Sequence, residues 1–232
     1  MRLVPSIDLA GGRSRLVFWP GASSGTGAPT DRPERIAAAF VALGAPMIHL
    51  VDLDGARAGV PVNTAAIAAV ARDIAVPLQL AGGVDGPRQI ELAFAAGATR
   101  VVVPVWIAAE SLDGLRECLR VAGDWLSVGL DARDEQLAAY PWPGAAPSLA
   151  ELAGTLADVG VRRLVVSHWT AADLPRLAAI KARHDISLEL AGGVSEPAQV
   201  EAAAAAGIDT LIVGEALLSG AIEYPGKVMV NG

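Results

Sequence analysis

The chain has 232 residues, 53% hydrophobic and 19% charged, with a net charge of −7. That composition excludes a disordered chain, and the length suits one barrel-sized domain with a large core. A negative balance, 4% aromatics and no Lys/Arg run exclude a nucleic-acid surface, and apolar stretches such as Val101–Ala109 are too short to span a bilayer.

Eight apolar segments bounded by turn residues predict strands. They are roughly Leu3–Asp8, Met47–Asp52, Pro77–Ala81, Arg100–Pro104, Leu126–Asp131, Arg163–His168, Ser187–Ala191 and Thr210–Gly214. Helical spacing between them predicts Pro33–Leu43, Asn63–Asp73, Pro87–Ala96, Ser111–Ala122, Ser148–Val159, Leu174–His184 and Glu196–Ala206. Several open with Pro, Ser or Asn, as helix starts do. The start, MRLVPSID, reads as a strand rather than a signal peptide, and the end, EYPGKVMVNG, reads as too short for a normal eighth helix. One cysteine, Cys118, leaves no intramolecular disulfide; it reads as a small apolar residue in a cytoplasmic protein. Two long connections, residues 10–32 and 132–147 (with Tyr140-Pro141-Trp142-Pro143), follow strands that end in Asp and are expected to form lids.

The chain also says one thing twice. QLAGGVDGPRQIELAFAAGATRVVV at 79–103 is echoed by ELAGGVSEPAQVEAAAAAGIDTLIV at 189–213. Each copy is a strand, a Gly-Gly turn, a helix and a second strand, a βαβ unit with parallel strands. Two such halves predict an α/β fold, a (β/α)8 TIM barrel built from duplicated half-barrels and filling residues 1–232 as a single domain.

Asp8, Asp52 and Asp131 close the first, second and fifth strands, at the face where barrel active sites form. Asp8 and Asp131 can flank one small molecule as a general acid–base pair. Ser167 and His168 end the sixth strand. Aligning GAPMIHLVDLDGA with GVRRLVVSHWTAA sets Asp52 opposite His168, which makes His168 a residue of the mouth. No tight ligand spacing supports a metal site. His49, mid-strand, and His184, at a helix end, read as structural.

Gly82-Gly83 follows the third strand, Gly192-Gly193 the seventh and Gly214 the eighth. Glycines at these places let backbone N–H groups approach a phosphate. Opposite Gly214 the first half carries Pro104, which has no N–H to give, and Asp85 follows the first Gly-Gly-Val. One phosphate pocket (Gly192, Gly193, Ser195, Gly214) and one damaged pocket are expected.

PSIDL with Asp8, Arg13–Leu16, HLVDLDGA, the two Gly-Gly-Val turns, GLDAR with Asp131, Trp142 and VGEALLSG together resemble the histidine-biosynthesis isomerase family HisA and its actinobacterial relative PriA, which also serves tryptophan synthesis. The resemblance runs almost the whole chain in order. It implies an Amadori isomerase, without a cofactor, that turns a phosphorylated ribosyl-amine from aminoaldose to aminoketose. It implies Asp8 as general base, Asp131 and Ser167 on the reacting sugar, and substrate contacts from Trp142, Arg15, Asp52, Gly82 and Gly83. Gly192, Gly193 and Gly214 would hold a phosphate. The implied partner is a small phosphosugar, to a monomer or homodimer with no membrane or nucleic-acid role.

The chain departs from the family after the sixth strand. There the family carries Thr-Asp-Ile-x-Arg/Lys-Asp-Gly-Thr, whose second Asp is the general acid; here the stretch is Ser167-His168-Trp169-Thr170-Ala171-Ala172-Asp173. His168 and Asp173 are the candidate replacements. The family's Gly-Gly-Ile/Val-Arg is Gly82-Gly83-Val84-Asp85, its Gly-Ser/Thr is Pro104-Val105, and its Lys/Arg after Gly214 is Glu215. Two alternatives follow: a diverged relative whose substrate has one phosphate or none, or a non-catalytic barrel that binds a ligand or a partner.

Overall fold

Strands rich in Val, Ile and Leu, with few polar positions, suit a parallel sheet covered on both faces, and that is the arrangement adopted. The computed structural model describes residues 1–18, 28–133, 137, 140, 142 and 144–224. Eight strands, β1 (Arg2–Ala10), β2 (Ile48–Asp52), β3 (Leu78–Ala81), β4 (Arg100–Pro104), β5 (Leu126–Asp131), β6 (Arg163–Ser167), β7 (Ser187–Ala191) and β8 (Thr210–Val213), pair in parallel in chain order. β1 also pairs with β8 (Pro5 opposite Val213), which closes the sheet into a (β/α)8 barrel.

The helices that cover it are α1 (Pro33–Ala42), α2 (Leu53–Ala58), α3 (Thr64–Asp73), α4 (Pro87–Ala95), α5 (Trp106–Glu110), α6 (Leu112–Ala122), α7 (Leu149–Val159), α8 (Leu174–Arg183), α9 (Pro197–Ala205) and α10 (Glu215–Leu218). Local chemistry sets their ends. Pro opens α1, α4 and α9. Ser148 and Glu151 form a reciprocal capping box at α7, and Gly160, at φ 110°, ends that helix. The short helices α2 and α5 were not anticipated, because five or six residues are too few to write a helical apolar period. Asp52 makes α2 by capping the N–H of Gly55, and left-handed Gly59 stops it.

Alternation along the strands creates two cores. Ile7, Leu50, Leu80, Val101, Val128, Leu188 and their neighbours pack outward under the helices. Val4, Met47, Val102, Val165 and Ile212 form a separate apolar plug, with Ala81 and Ala191 against it. Each fully buried Leu or Ile stabilises the fold by about 1.5–3 kcal/mol. Gly129 fits the barrel because a methyl there would sit 3.0 Å from Val102. Toward the N-terminal ends of the strands lies a buried polar layer. Arg100 pairs with Glu189 at 2.9 Å, and Gln79 Nε2 donates to Glu189 at 2.9 Å and lies 3.2 Å from His49 Nδ1. Cys118 is buried and its thiol is pushed up to about 11 by that burial, so it is inert packing. No helix among the described residues is long and apolar enough to cross a membrane.

Candidate active site

A cavity of about 970 Å³ opens at the C-terminal ends of the strands. It spans the arc β6–β7–β8–β1–β2; no described residue of β3, β4 or β5 lines it. Among the residues anticipated from the sequence it brings together Asp8, Arg15, Ser167, His168, Gly192, Gly193, Ser195 and Gly214.

Asp8 stands near the end of β1, half-buried, with Arg15 at 3.9 Å. Burial raises its pKa above the ordinary carboxylate value; Arg15 opposes the shift and Glu215 adds to it. A more basic carboxylate is a better proton acceptor. Arg15 is delivered by an antiparallel return. Arg13–Ser14 pairs with the end of β1, Arg15 N–H donates to the Asp8 carbonyl, and Phe18 and Thr30 bridge further out. The rest of that long connection, residues 19–27, lies outside the described residues.

His168 follows β6 directly. Its Nδ1 is 2.8 Å from Asp131 Oδ2 and 3.3 Å from Ser167 Oγ, and its φ of 55° is left-handed, an unusual state for a residue with a Cβ. Asp131 is not on the cavity wall but behind His168. It accepts from Arg133 N at 2.9 Å, Nε at 2.9 Å and Nη2 at 2.6 Å. Burial pulls its pKa upward, but the Arg133 hydrogen bonds and His168 outweigh that and hold it below the ordinary value.

Asp52, the Gly82-Gly83 turn, Asp173 and Trp142, also anticipated from the sequence, lie off the wall of this cavity. Asp52 is fully buried, and its carboxylate accepts from Gly55 N, Val62 N, Asn63 N and Asn63 Nδ2 at 2.6–2.9 Å, so it has nothing left for a substrate. Its work is structural: Asn63 in turn receives the Gly12 N–H and helps hold the loop that carries Arg15. Gly82 and Gly83 do not face the cavity either. A methyl at Gly82 would lie 2.3 Å from the Asp52 carbonyl oxygen and one at Gly83 2.5 Å from that of Val60, so these glycines serve close packing. Asp173 caps its own turn, accepting from Thr170 N and Oγ1 at 2.8 Å and from Arg176 at 2.8 Å. Trp142 gives its indole N–H to the Leu137 carbonyl and packs on the core away from the cavity. Its neighbours Pro141 and Pro143 lie outside the described residues.

The second glycine turn is open. Nothing lies within 4 Å of a methyl built on Gly192, and Gly193 meets only the Trp169 carbonyl at 3.3 Å. Ser195 lines the cavity, but its N–H and hydroxyl donate to Gln199 Oε1, so the amides of Gly193 and Val194 are the more available donors there. Among the titratable wall residues, sequence reading did not place His49 and Glu215. His49 lies mid-strand in an apolar run, where burial is the ordinary expectation; burial lowers its pKa to about 4, so it is neutral. Among the described residues no cluster of three His, Cys, Asp or Glu is placed to hold a metal ion.

The family model described as "Histidine biosynthesis protein" matches residues 2–223. Three similar proteins carry one name, 1-(5-phosphoribosyl)-5-((5-phosphoribosylamino)methylideneamino) imidazole-4-carboxamide isomerase. The one from Chloroflexus aurantiacus is 33% identical over 96% of this chain and 95% of its own length. That of Roseiflexus castenholzii is 35% identical over 95% of each. That of Thermus thermophilus is 33% identical over 96% of each.

Proposed function

The chain belongs to the histidine biosynthesis protein family, and from that premise we propose that it is an aldose–ketose isomerase performing an Amadori rearrangement on a phosphorylated ribosyl-amine in histidine biosynthesis. The observation that carries this reading is Asp8: a half-buried carboxyl of raised pKa on the wall of a cavity that also holds an open Gly-Gly turn. In the reaction a proton goes to the ring oxygen and the C1–O bond breaks, with the amine lone pair forming an iminium. Asp8 then takes the C2 proton to give an enolamine. Return of a proton to C1 and loss of the enol proton give the aminoketose. Hydrogen only moves within the substrate, so the chemistry calls for no cofactor. Arg15 balances the carboxylate and can order the sugar hydroxyls. The open turn at Gly192-Gly193, with the Gly193 and Val194 amides and Gly214 beside it, suits a terminal phosphate. A cytoplasmic monomer or homodimer completes the reading.

One observation favours a narrower second reading, a substrate with a single phosphate. The first-half turn is filled by residues 52–60, and Pro104 has no N–H to replace the missing donors.

The test is turnover of the substrate of the named relatives, and of phosphoribosylanthranilate, by wild type and Asp8→Asn. The proposal expects turnover of at least one by wild type and a loss of about 10²-fold or more with Asp8→Asn. Folded wild-type protein inert on both would overturn it.

A further inference from the structure

Ring opening needs an acid as well as the base assigned to Asp8. We infer that His168 is the general acid, with Asp131 as its positioning residue; this rests on the isomerase reading above. Elimination and geometry agree. The Asp173 carboxylate is taken up by Thr170 and Arg176. Asp131 stands behind the wall, held by three hydrogen bonds from Arg133. Glu215 reaches the wall close enough to Asp8 to raise its pKa, which puts it beside the base. His168 is on the wall, its side chain 59% exposed, three strands round the ring from Asp8.

The backbone of His168 adds a separate observation. A left-handed residue other than glycine is strained, and it persists when its surroundings hold it there. Here the strained residue bends its imidazole onto Asp131 at 2.8 Å. A carboxylate at Nδ1 calls for the proton on that nitrogen and leaves Nε2 to exchange a proton with the substrate. The charged groups around it are Asp131 and Arg133 from the β5 end, Asp8 and Arg15 from the β1 side and Glu215 after β8. Ser167 Oγ, at 3.3 Å from Nδ1, is the nearest neutral partner.

The step balances. Nε2–H gives its proton to the ring oxygen as the C1–O bond breaks, while Asp131 stays anionic. Asp8 takes the C2 proton and returns it to C1. The enol proton goes back to Nε2, and both groups are reset.

The experiment measures kcat, KM and their pH dependence for wild type, Asp8→Asn, His168→Asn, Asp131→Asn and Asp173→Asn. His168→Asn is expected to lose about 10²–10⁴-fold in kcat with KM changed only a few-fold. The fall in wild-type kcat at high pH, where the acid is lost, should vanish from the residual activity. Added imidazole should restore part of the rate, which a folding defect would not allow. Asp131→Asn should keep that alkaline limb but move its midpoint, and Asp173→Asn should leave kcat within a few-fold. Active wild type that dies with Asp8→Asn but keeps its rate and alkaline limb in His168→Asn would overturn the assignment of the acid alone. Inactive wild type would overturn the isomerase reading itself.

Discussion

The two halves of the barrel carry the same glycine turns and use them for opposite ends. In the first half Gly82 and Gly83 press against the backbone of residues 52–60, within 2.3 and 2.5 Å of where a methyl would go. In the second half Gly192 faces open space. The pattern repeats at equivalent strand ends. Asp52 is sealed into its own loop by four hydrogen bonds, whereas His168 stands on the cavity wall. Pro104, which has no N–H, stands where the second half has Gly214, and Gly214 lines the cavity. Duplication supplies two copies of a scaffold, and one copy can rigidify the mouth while the other leaves open space beside its turn. The first half still reaches the cavity through Asp8, Arg15 and His49, and the loop after Asp8 is anchored by Asn63, itself held by Asp52.

The largest expected effect lies in the buried layer, where Gln79 of the first half matches Glu189 of the second. Glu189 is wholly buried and pairs with Arg100, itself only 9% exposed. Glu189→Gln leaves that guanidinium without its counter-charge and is expected to destabilise the fold by about 3–5 kcal/mol. Urea unfolding measures it; a loss below about 1 kcal/mol would mean that Arg100 relaxes to water. Next in size are the glycines themselves. Gly82→Ala has to move the Asp52 backbone and should lose about 2 kcal/mol or more. Gly192→Ala meets nothing and should lose only the left-handed strain of about 1–2 kcal/mol. Equal losses in thermal unfolding would erase the distinction between a packed turn and an open one.

The barrel was legible in the sequence because strands buried on both faces write unbroken apolar runs, and because the repeat at 79–103 and 189–213 sets their frame. The mouth was legible only in part. Asp8 and His168 could be placed by strand-end position. Position alone could not separate Asp52 from them, since three of its four hydrogen bonds come from Val62 and Asn63, ten and eleven residues on. One local signal existed: Asp52 stands three residues before Gly55, the spacing of a helix cap. Likewise Thr170 and Asp173 have capping-box spacing, which marks a carboxylate already engaged. His49 could not be assigned to the wall, because its exposure depends on how deep the cavity reaches between β1, β2 and β8.

We propose that the second-half turn, not the first, receives the phosphate. Calorimetric titration of ribose 5-phosphate into wild type, Gly192→Ala and Asp85→Asn tests it most directly. Binding to wild type is expected, with a loss of about tenfold or more in Gly192→Ala, where the new methyl fills the open cradle, and unchanged affinity in Asp85→Asn. Wild-type affinity in Gly192→Ala, with Asp85→Asn altered instead, would contradict it.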